Sequence, residues 1–394
     1  MFRAGSGRIR TPPVAWVPCG AFVVPIHPCI GIVGSAGAYG RWLHRFFSER
    51  MGLPVLGHDP ADASSDPIEA LLEHADVLLF SVPIGATEAV IRDWTARSGG
   101  REAGRLWLDV TSIKSAPVAA LLASCAEVVG LHPLTAPPKS PSLKGRVLAV
   151  CRARLDDWTP WLGGLLEALE AECVEVDPER HDRAMALVQA LGHACHLAQA
   201  GVLNAQAPQA GTIAELLPLR TAAFEMDVAI AARILEQNPA IYEDIQFCNP
   251  HVPGVLRMMS ERIEGIARLV EQGDATARVR FRDEVLVASR AAFGTQAREA
   301  GNHTFERIGF LLADLADACV LSVHLPEDRP GSLRTLLQVF EDQGVNIASL
   351  HSSRTRSGEL HFRFGFDRGT DPGRLQGIMA TLQETGLGRA PTER

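Results

Sequence analysis

Short apolar runs recur through residues 29–178 and alternate with segments of helical or loop character. Within each run Val, Leu and Ile occupy consecutive positions, which is typical of strands buried on both faces. The runs span residues 30–34, 54–57, 77–82, 106–110, 128–131, 147–151 and 173–176. Strands of this kind that alternate with helices predict an α/β fold with a doubly wound, mostly parallel sheet.

The pattern changes twice in the rest of the chain. Residues 180–318 lack strand-like runs and carry helical periodicity, which predicts an all-helical domain. From about residue 319 a strand-like run, a turn and a helical segment (332–343) follow, and then two further strand-like runs at 345–350 and 360–366. This order predicts a small α+β module of type βαββα.

The length of 394 residues exceeds that of one typical domain. We therefore expect three domains, at residues 29–178, 179–318 and 319–394. Residues 1–28 contain three arginines and no acidic residue, and their apolar stretch is interrupted by Pro18 and Pro25. We interpret them as a leader extension of unknown use.

Composition excludes several classes of function. The net charge is -8 and the chain has no block of Lys or Arg, which argues against a nucleic-acid surface. No uninterrupted apolar run reaches the roughly 20 residues that a membrane helix needs. The eight cysteines form no C-x-x-C pair, so we expect reduced thiols in the cytoplasm and neither a zinc site nor a disulfide framework.

Polar side chains follow two neighbouring runs. Asp109-Val110-Thr111-Ser112-Ile113-Lys114 closes the fourth run, and His132-Pro133 closes the fifth. Ligands of open α/β sheets bind just beyond the carboxyl ends of the strands. A hydroxyl, an ammonium and an imidazole are therefore expected to meet at this edge.

A glycine-rich turn joins the first run to a helical segment. Counted back from Gly40, the pattern G-x-G-x-x-G becomes Ser35-x-Gly37-x-x-Gly40, with Gly34 just before it. Such a turn places backbone N–H groups and a positive helix end against a pyrophosphate. The candidate cofactor-binding residues are Gly34, Ser35, Gly37, Ala38, Tyr39 and Gly40. Because Ser35 carries a Cβ, it would have to adopt the tight turn that glycine normally occupies.

Asp59 stands at the end of the second run, about 20 residues beyond the glycine turn. An acid at this point can bind a ribose 2′-hydroxyl and repels the 2′-phosphate of NADP, so the implied cofactor is NAD. The alternative is a solvated aspartate of the turn Asp59-Pro60.

The order and spacing of these motifs resemble the prephenate dehydrogenases and the related arogenate dehydrogenases over about residues 29–300. The likeness rests on the glycine turn and on Ser81-Val82-Pro83, Asp109-x-x-Ser112-x-Lys114, Gly130-Leu131-His132-Pro133, His181-Asp182 and Gln189-Ala190-Leu191-Gly192-His193. It implies a Rossmann-like domain with Ser81 and Pro83 beside NAD, and a homodimer that packs through its helical domain. The implied reaction is the oxidative decarboxylation of prephenate to 4-hydroxyphenylpyruvate in tyrosine biosynthesis.

The resemblance also implies roles for single residues. His132 matches the catalytic base and Ser112 an orienting hydroxyl. Lys114 matches a residue that attracts a substrate carboxylate or organises its loop, Arg233 one that binds a carboxylate, and His193 one in the substrate pocket. Arginine suits a carboxylate because its planar fork binds bidentately.

Each of these residues has a purely structural alternative. Thr111 or Ser112 could cap the helix that follows, which would leave Ser112 and Lys114 with no ligand. His132 could simply end a strand, and His193 could be an interior histidine. Arg233 could be a solvated partner of nearby glutamates.

The sequence departs from the family pattern just after His132. Leu134-Thr135-Ala136-Pro137-Pro138 replaces Met-x-Gly-Pro, and Gly192 precedes His193 where Pro or Arg is commoner. Ala136 takes a positive φ less readily than glycine, so the loop must differ in conformation or carry strain. Arogenate is therefore kept as an alternative substrate, and a catalytically weak regulator that binds NAD and an amino acid as an alternative function.

The last module resembles an ACT domain over about residues 319–385. The likeness rests on Leu325-Pro326-Glu327-Asp328-Arg329-Pro330-Gly331-Ser332-Leu333, Gly344-Val345-Asn346-Ile347 and Leu350. It implies that Gly331 and Asn346 bind an amino-acid effector, tyrosine or phenylalanine. The alternative is that both are turn residues that only connect helix to strand.

Overall fold

The structure is a computed structural model that describes residues 24–316, 320–325, 329–354, 359–367 and 369–388. Most of the predicted leader extension lies outside the described residues, as does part of the turn before Arg329. The chain divides into two compact units. The first unit holds the chain up to Val82 together with Ala86–Pro133 and Lys144–Asp177, and the second holds Pro83–Gly85, Leu134–Leu143 and the chain from Pro178 onward.

A seven-stranded sheet forms the centre of the first unit. Its strands are β1 (Ile30–Val33), β2 (Val55–His58), β3 (Val77–Phe80), β4 (Leu106–Asp109), β5 (Glu127–Pro133), β6 (Val147–Arg154) and β7 (Glu172–Glu175). The strand order is β2-β1-β3-β4-β5-β6-β7, and only β5 and β6 pair antiparallel. Every residue of β1, β3 and β4 is buried. The predicted mostly parallel α/β sheet is therefore confirmed.

Five helices accompany this sheet. They are α1 (Ala38–Arg45), which continues as a π-helical turn (Phe46–Arg50), α2 (Ile68–His74), α3 (Ile84–Ser98), α4 (Ser115–Leu122) and α5 (Thr159–Leu169). Side chains of α2, α3 and α4 share one apolar core with β3 and β4. The ring of Phe80 meets those of Trp94 and Trp107 edge to face, with centroids 6.0 and 5.6 Å apart.

One strand differs from its prediction. The run 173–176 was expected to be buried on both faces, but all four residues of β7 are exposed. This strand pairs only with β6 and so forms the edge of the sheet, where the Glu175 carboxylate binds Arg152 at 2.8 Å. Charged side chains on an edge strand discourage pairing with other chains.

Helices make up the second unit as far as residue 316. They are α6 (Pro178–Met185), α7 (Gly192–Ala210), α8 (Ile213–Leu216), α9 (Ala222–Glu236), α10 (Pro239–Phe247), α11 (Val252–Gln272), α12 (Ala275–Arg280) and α13 (Ala288–Ala316). A π-helical turn (Ala186–Leu191) links α6 to α7, and another (Phe281–Val287) links α12 to α13. Among the described residues, no helix combines the length and apolarity that crossing a membrane requires.

The terminal module contains β8 (Val320–Leu325), α14 (Ser332–Asp342), β9 (Ser349–Arg354), β10 (Leu360–Gly365) and α15 (Pro372–Thr385). Its antiparallel sheet has the order β8-β10-β9, and both helices contribute to the core around Phe340 and Phe364. The predicted βαββα order is confirmed. The second strand of the module in chain order, β9, begins later than expected, at Ser349, because Val345 still closes the end of α14 through a bond to the Phe340 carbonyl.

Candidate functional site

The glycine turn after β1 is shaped by backbone contacts that leave no room for side chains. A Cβ on Gly34 would lie 2.3 Å from the Ser81 carbonyl oxygen, and one on Gly40 would lie 2.1 Å from the Gly34 oxygen. Gly34 has a φ of +86°, so it is the residue that takes the left-handed turn. Ser35 was expected to carry that strain, and the structure corrects this: among the described residues, Glu170 is the only non-glycine with a positive φ.

Ser35 fits because the neighbouring strand lacks a side chain opposite it. A Cβ on Gly57 of β2 would lie 2.8 Å from the Ser35 Cβ. Gly37 and Ala38 are exposed at the start of α1, and no side chain caps that helix end. Unpaired N–H groups at a helix start bind anions, so the turn fits a pyrophosphate. Tyr39 lies half-buried against Trp42, and burial raises the pKa of its phenol.

Asp59 holds the glycine turn to the end of β2. Its Oδ2 accepts the Ala36 N–H at 3.1 Å, and its Oδ1 accepts the Ala61 N–H at 2.9 Å. This carboxylate is therefore an ordered part of the turn and not a freely solvated group. A cavity of about 480 Å³ opens beside it. Its lining includes three basic side chains of α1 to which the sequence analysis gave no role, although their spacing of three and four residues places them on one helix face: Arg41, His44 and Arg45.

The ends of β4 and β5 bring the two polar clusters to the same edge of the sheet. Asp109 pairs with Gly130 in the parallel ladder, so Ser112 and His132 follow from adjacent strands. Ser112 is half-buried, and its hydroxyl makes no hydrogen bond to another described residue. His132 is 2 % exposed and lies within β5, opposite Ala149 of β6, so it is more firmly held than a residue of a turn.

The side chain of Lys114 is held by groups of the protein itself. Its side chain is completely buried, and its ammonium donates to the Asp109 carboxylate and, at 2.8 Å, to the Leu131 carbonyl. The Thr111 hydroxyl donates to the same carboxylate at 2.6 Å. Because the charge is neutralised inside the protein, the geometry favours the alternative in which Lys114 organises the loop.

The predicted capping alternative for this loop is wrong. Helix α4 begins at Ser115 with Lys114 at the N-cap position, and no side chain caps it. Thr111 is occupied by Asp109 and by the Ile113 carbonyl. Ser112 therefore has no structural task as a cap and is available to a ligand.

The loop after His132 differs from the family pattern without backbone strain. Ala136 replaces a glycine there, yet it is not among the described residues with a positive φ. The strain, one of the two expectations, is therefore not observed, and a different loop conformation stays a prediction. The loop belongs to the second unit as residues Leu134–Leu143.

His193 and Arg233 lie in the second unit. His193 is half-buried and meets the Tyr242 ring edge to face with centroids 4.8 Å apart. Burial, and then the neighbouring His196, lower the pKa of His193, so the neutral imidazole is favoured. Its Nδ1 is buried without a hydrogen-bond partner among the described residues. His193 is therefore not a fully satisfied interior histidine, and this nitrogen is available to a ligand.

Arg233 is exposed on α9, and within the described part of the chain it makes no ion pair. The expected pairing with nearby glutamates is therefore not observed. Sequence reasoning gave no role to several residues that the structure shows to be well held. His181 Nδ1 lies 2.8 Å from the Asp182 carboxylate in the interior, and Asn249 donates to the Asp182 carbonyl at 2.7 Å.

The predicted effector residues lie at the two ends of α14. Gly331 has a φ of +94° at the start of the helix, which explains glycine there whether or not a ligand binds. Asn346 is exposed in the segment that leads to β9.

Two family descriptions match the chain. "Prephenate dehydrogenase, dimerization domain" matches residues 177–282, and "ACT domain" matches residues 320–384. A 4-amino-4-deoxyprephenate dehydrogenase of Streptomyces pristinaespiralis is 31% identical over 261 residues, which are 62% of this chain and 85% of that protein. The chain belongs to the prephenate dehydrogenase family. The family resemblance seen in the sequence is thereby confirmed, and so is the ACT domain.

Other members of the family are more distant. A probable arogenate/prephenate dehydrogenase of Methanocaldococcus jannaschii is 26% identical over 304 residues, or 73% of this chain. The chain spans only 66% of the length of that relative. A crystal structure of prephenate dehydrogenase from Aquifex aeolicus, in complex with hydroxyphenyl propionate and NAD+, has the same fold, with a TM-score of 0.52 and 16% identity. It covers 68% of this chain and 98% of its own.

Proposed function

We propose that this chain catalyses the oxidative decarboxylation of prephenate to 4-hydroxyphenylpyruvate with NAD, in the cytoplasm and within tyrosine biosynthesis. The observation that carries the proposal is that Ser112 follows β4 and His132 lies near the end of the adjacent strand β5, at the same sheet edge as the glycine turn. The matching family descriptions and the names of the relatives support a dehydrogenase that acts on prephenate or on a close analogue of it.

The glycine turn fits NAD. The backbone N–H groups at the start of α1 would bind the pyrophosphate, and Ser81 and Pro83 follow β3, which lies next to β1. The Asp59 carboxylate would bind a ribose hydroxyl and disfavour the 2′-phosphate of NADP. NAD, when bound, supplies the acceptor for hydride. The Aquifex aeolicus structure contains NAD+, which supports this choice.

The chain's own residues would assist the loss of hydride from the ring carbon that carries the hydroxyl. His132 would accept a hydrogen bond from that hydroxyl and so stabilise positive charge that develops on its oxygen. Ser112 would orient the hydroxyl, since a serine both donates and accepts. Departure of the ring carboxylate as CO2 returns its electron pair to the ring and makes the product aromatic.

The test is formation of NADH by the purified chain with prephenate, arogenate and 4-amino-4-deoxyprephenate, each with NAD and with NADP. We expect the highest kcat/KM with prephenate and NAD. A higher kcat/KM with arogenate would identify arogenate as the substrate. This is the alternative suggested by the altered loop after His132. Retained NAD binding without turnover of any substrate would instead identify a regulator.

Arg233 is proposed to bind a substrate carboxylate. We expect Arg233→Ala to raise the KM for prephenate about 10- to 100-fold, because a charge-assisted bond of about 1.5–3 kcal/mol is lost. The KM for NAD should stay unchanged. Arg220→Ala is a matched control, since Arg220 binds Glu225 on the same helix. An unchanged KM for prephenate would remove Arg233 from the site.

The ACT domain is proposed to bind tyrosine or phenylalanine through Gly331 and Asn346. A ligand that binds only the folded state stabilises it, by about 2.7 kcal/mol at 100 times its Kd. We therefore expect saturating tyrosine to raise the Tm of the full chain and to change its activity. Asn346→Ala should abolish both effects, and a Tm indifferent to both amino acids would refute the sensing role.

A homodimer is the proposed assembly. The helical region leaves many large apolar side chains more than half exposed, including Val188, Val202, Leu235 and Phe293. Exposed apolar side chains that form a contiguous patch mark an interaction site. The description of residues 177–282 as a dimerization domain supports a second copy as the partner.

A further inference from the structure

Helix α3 lacks a capping side chain of its own. The first N–H groups of a helix have no partner within it, and a Ser, Thr, Asp or Asn just before the helix normally accepts one of them. Here the residue before Ile84 is Pro83, whose side chain has no oxygen. The proposed contact of Pro83 with NAD thus depends on a helix start that no neighbouring side chain in the sequence caps.

Asp244 of α10 supplies the missing acceptor. Its Oδ2 accepts the Gly85 N–H at 2.9 Å, although the two residues are 159 positions apart in the sequence. Gly85 is the second residue of α3, one of the positions that an N-cap side chain serves. A negative charge is also favoured there because the start of a helix carries partial positive charge.

The same short helix contacts the predicted substrate side of the second unit. Tyr242 packs against His193, and the Gln246 side-chain amide donates to the Ala190 carbonyl at 2.8 Å. Ile245 shares a buried cluster with Ile84, the first residue of α3. Helix α10 therefore fixes the start of α3 and the region of His193 at the same time.

We propose that Asp244 is a positioning residue that holds the turn Pro83–Gly85 and, through it, the nicotinamide half of NAD, because β3, which leads to this turn, lies between β1 with its glycine turn and β4, which leads to Ser112. The inference rests on the proposed function, because it takes the cofactor from there. The adenosine and pyrophosphate half is served by the glycine turn and does not depend on Asp244. The loss of this carboxylate should therefore separate the two halves of the cofactor.

The experiment compares binding of NAD with binding of ADP-ribose, which lacks nicotinamide, by titration calorimetry on the full chain. We expect Asp244→Ala to raise the Kd for NAD about tenfold while the Kd for ADP-ribose changes by less than about twofold, as for a lost helix cap. Amides 84–87 should also exchange faster with solvent. Asp244→Asn retains an oxygen acceptor and should restore most of the NAD affinity.

Glu243→Gln is the matched control, because Glu243 is the exposed neighbour on the same helix. It should leave both affinities and the amide exchange unchanged. An equal loss of both ligands, or unchanged NAD affinity in Asp244→Ala, would overturn the proposal. Turnover by the wild-type chain is measured separately. NAD binding without turnover would refute the proposed reaction. The Kd values of the Asp244 variants for NAD and for ADP-ribose would still test the role of Asp244.

Discussion

Replacement of His132 by asparagine is expected to lower kcat about 1,000-fold, within the range of about 10²–10⁴ that general acid–base catalysis contributes. Asparagine is close to histidine in size but cannot act as a base. His132 is buried near the end of β5, so little solvent is at hand to replace it. The KM for NAD should change little, because the glycine turn lies after another strand. Steady-state kinetics with prephenate and NAD measure both constants.

Two measurements distinguish a loss of catalysis in the His132→Asn variant from a loss of folding. The circular dichroism spectrum and the NAD affinity of the variant should match those of the wild type. His74→Asn changes an exposed histidine at the end of α2 and should leave kcat unaltered. A His132→Asn variant that keeps more than about a tenth of wild-type kcat would exclude His132 as the base.

The second large effect concerns stability. Lys114→Met should lower the free energy of unfolding by about 3–5 kcal/mol, because it leaves the buried Asp109 carboxylate without its cation. Urea denaturation measures this loss. The double variant Asp109→Asn, Lys114→Met removes both charges and should recover a large part of it, since replacing a whole buried pair costs far less than breaking it.

The same variant separates the two roles considered for Lys114. If the ammonium only organises the loop, the folded fraction of Lys114→Met keeps a KM for prephenate near that of the wild type. A large rise in the KM for prephenate with little change in the free energy of unfolding would indicate instead that Lys114 binds the substrate. The contacts with Asp109 and with the Leu131 carbonyl favour the first outcome.

The fold could be predicted because its strongest signals are local. Runs such as 77–80 and 106–108 are apolar at every position, and the structure buries each of these residues. The βαββα module was likewise visible from alternating strands around one amphipathic helix. The edge strand β7 was the exception. Its short apolar run does not show that the strand lies at the edge of the sheet, where it pairs with β6 alone.

The sequence could propose residues for the candidate site but not their contacts. Ser112 and His132 are candidates because strand ends gather ligands in this architecture. That Lys114 turns inward to Asp109, or that Asp244 caps a helix 159 positions away, depends on distances that no local pattern contains. Departure from the family sequence at Ala136 was visible, but the unstrained backbone of that loop was not.

The close approach of Ser35 and Gly57 makes the two positions interdependent. A side chain at position 57 would collide with the Ser35 Cβ. The turn has serine in place of the first glycine of the fingerprint, and the adjacent strand has glycine at the position opposite that serine. A glycine at position 35 would leave room for a larger residue at position 57. The two positions should therefore vary as a pair. Replacing the residue at position 35 or 57 alone with a larger one would disturb the packing of the turn against β2.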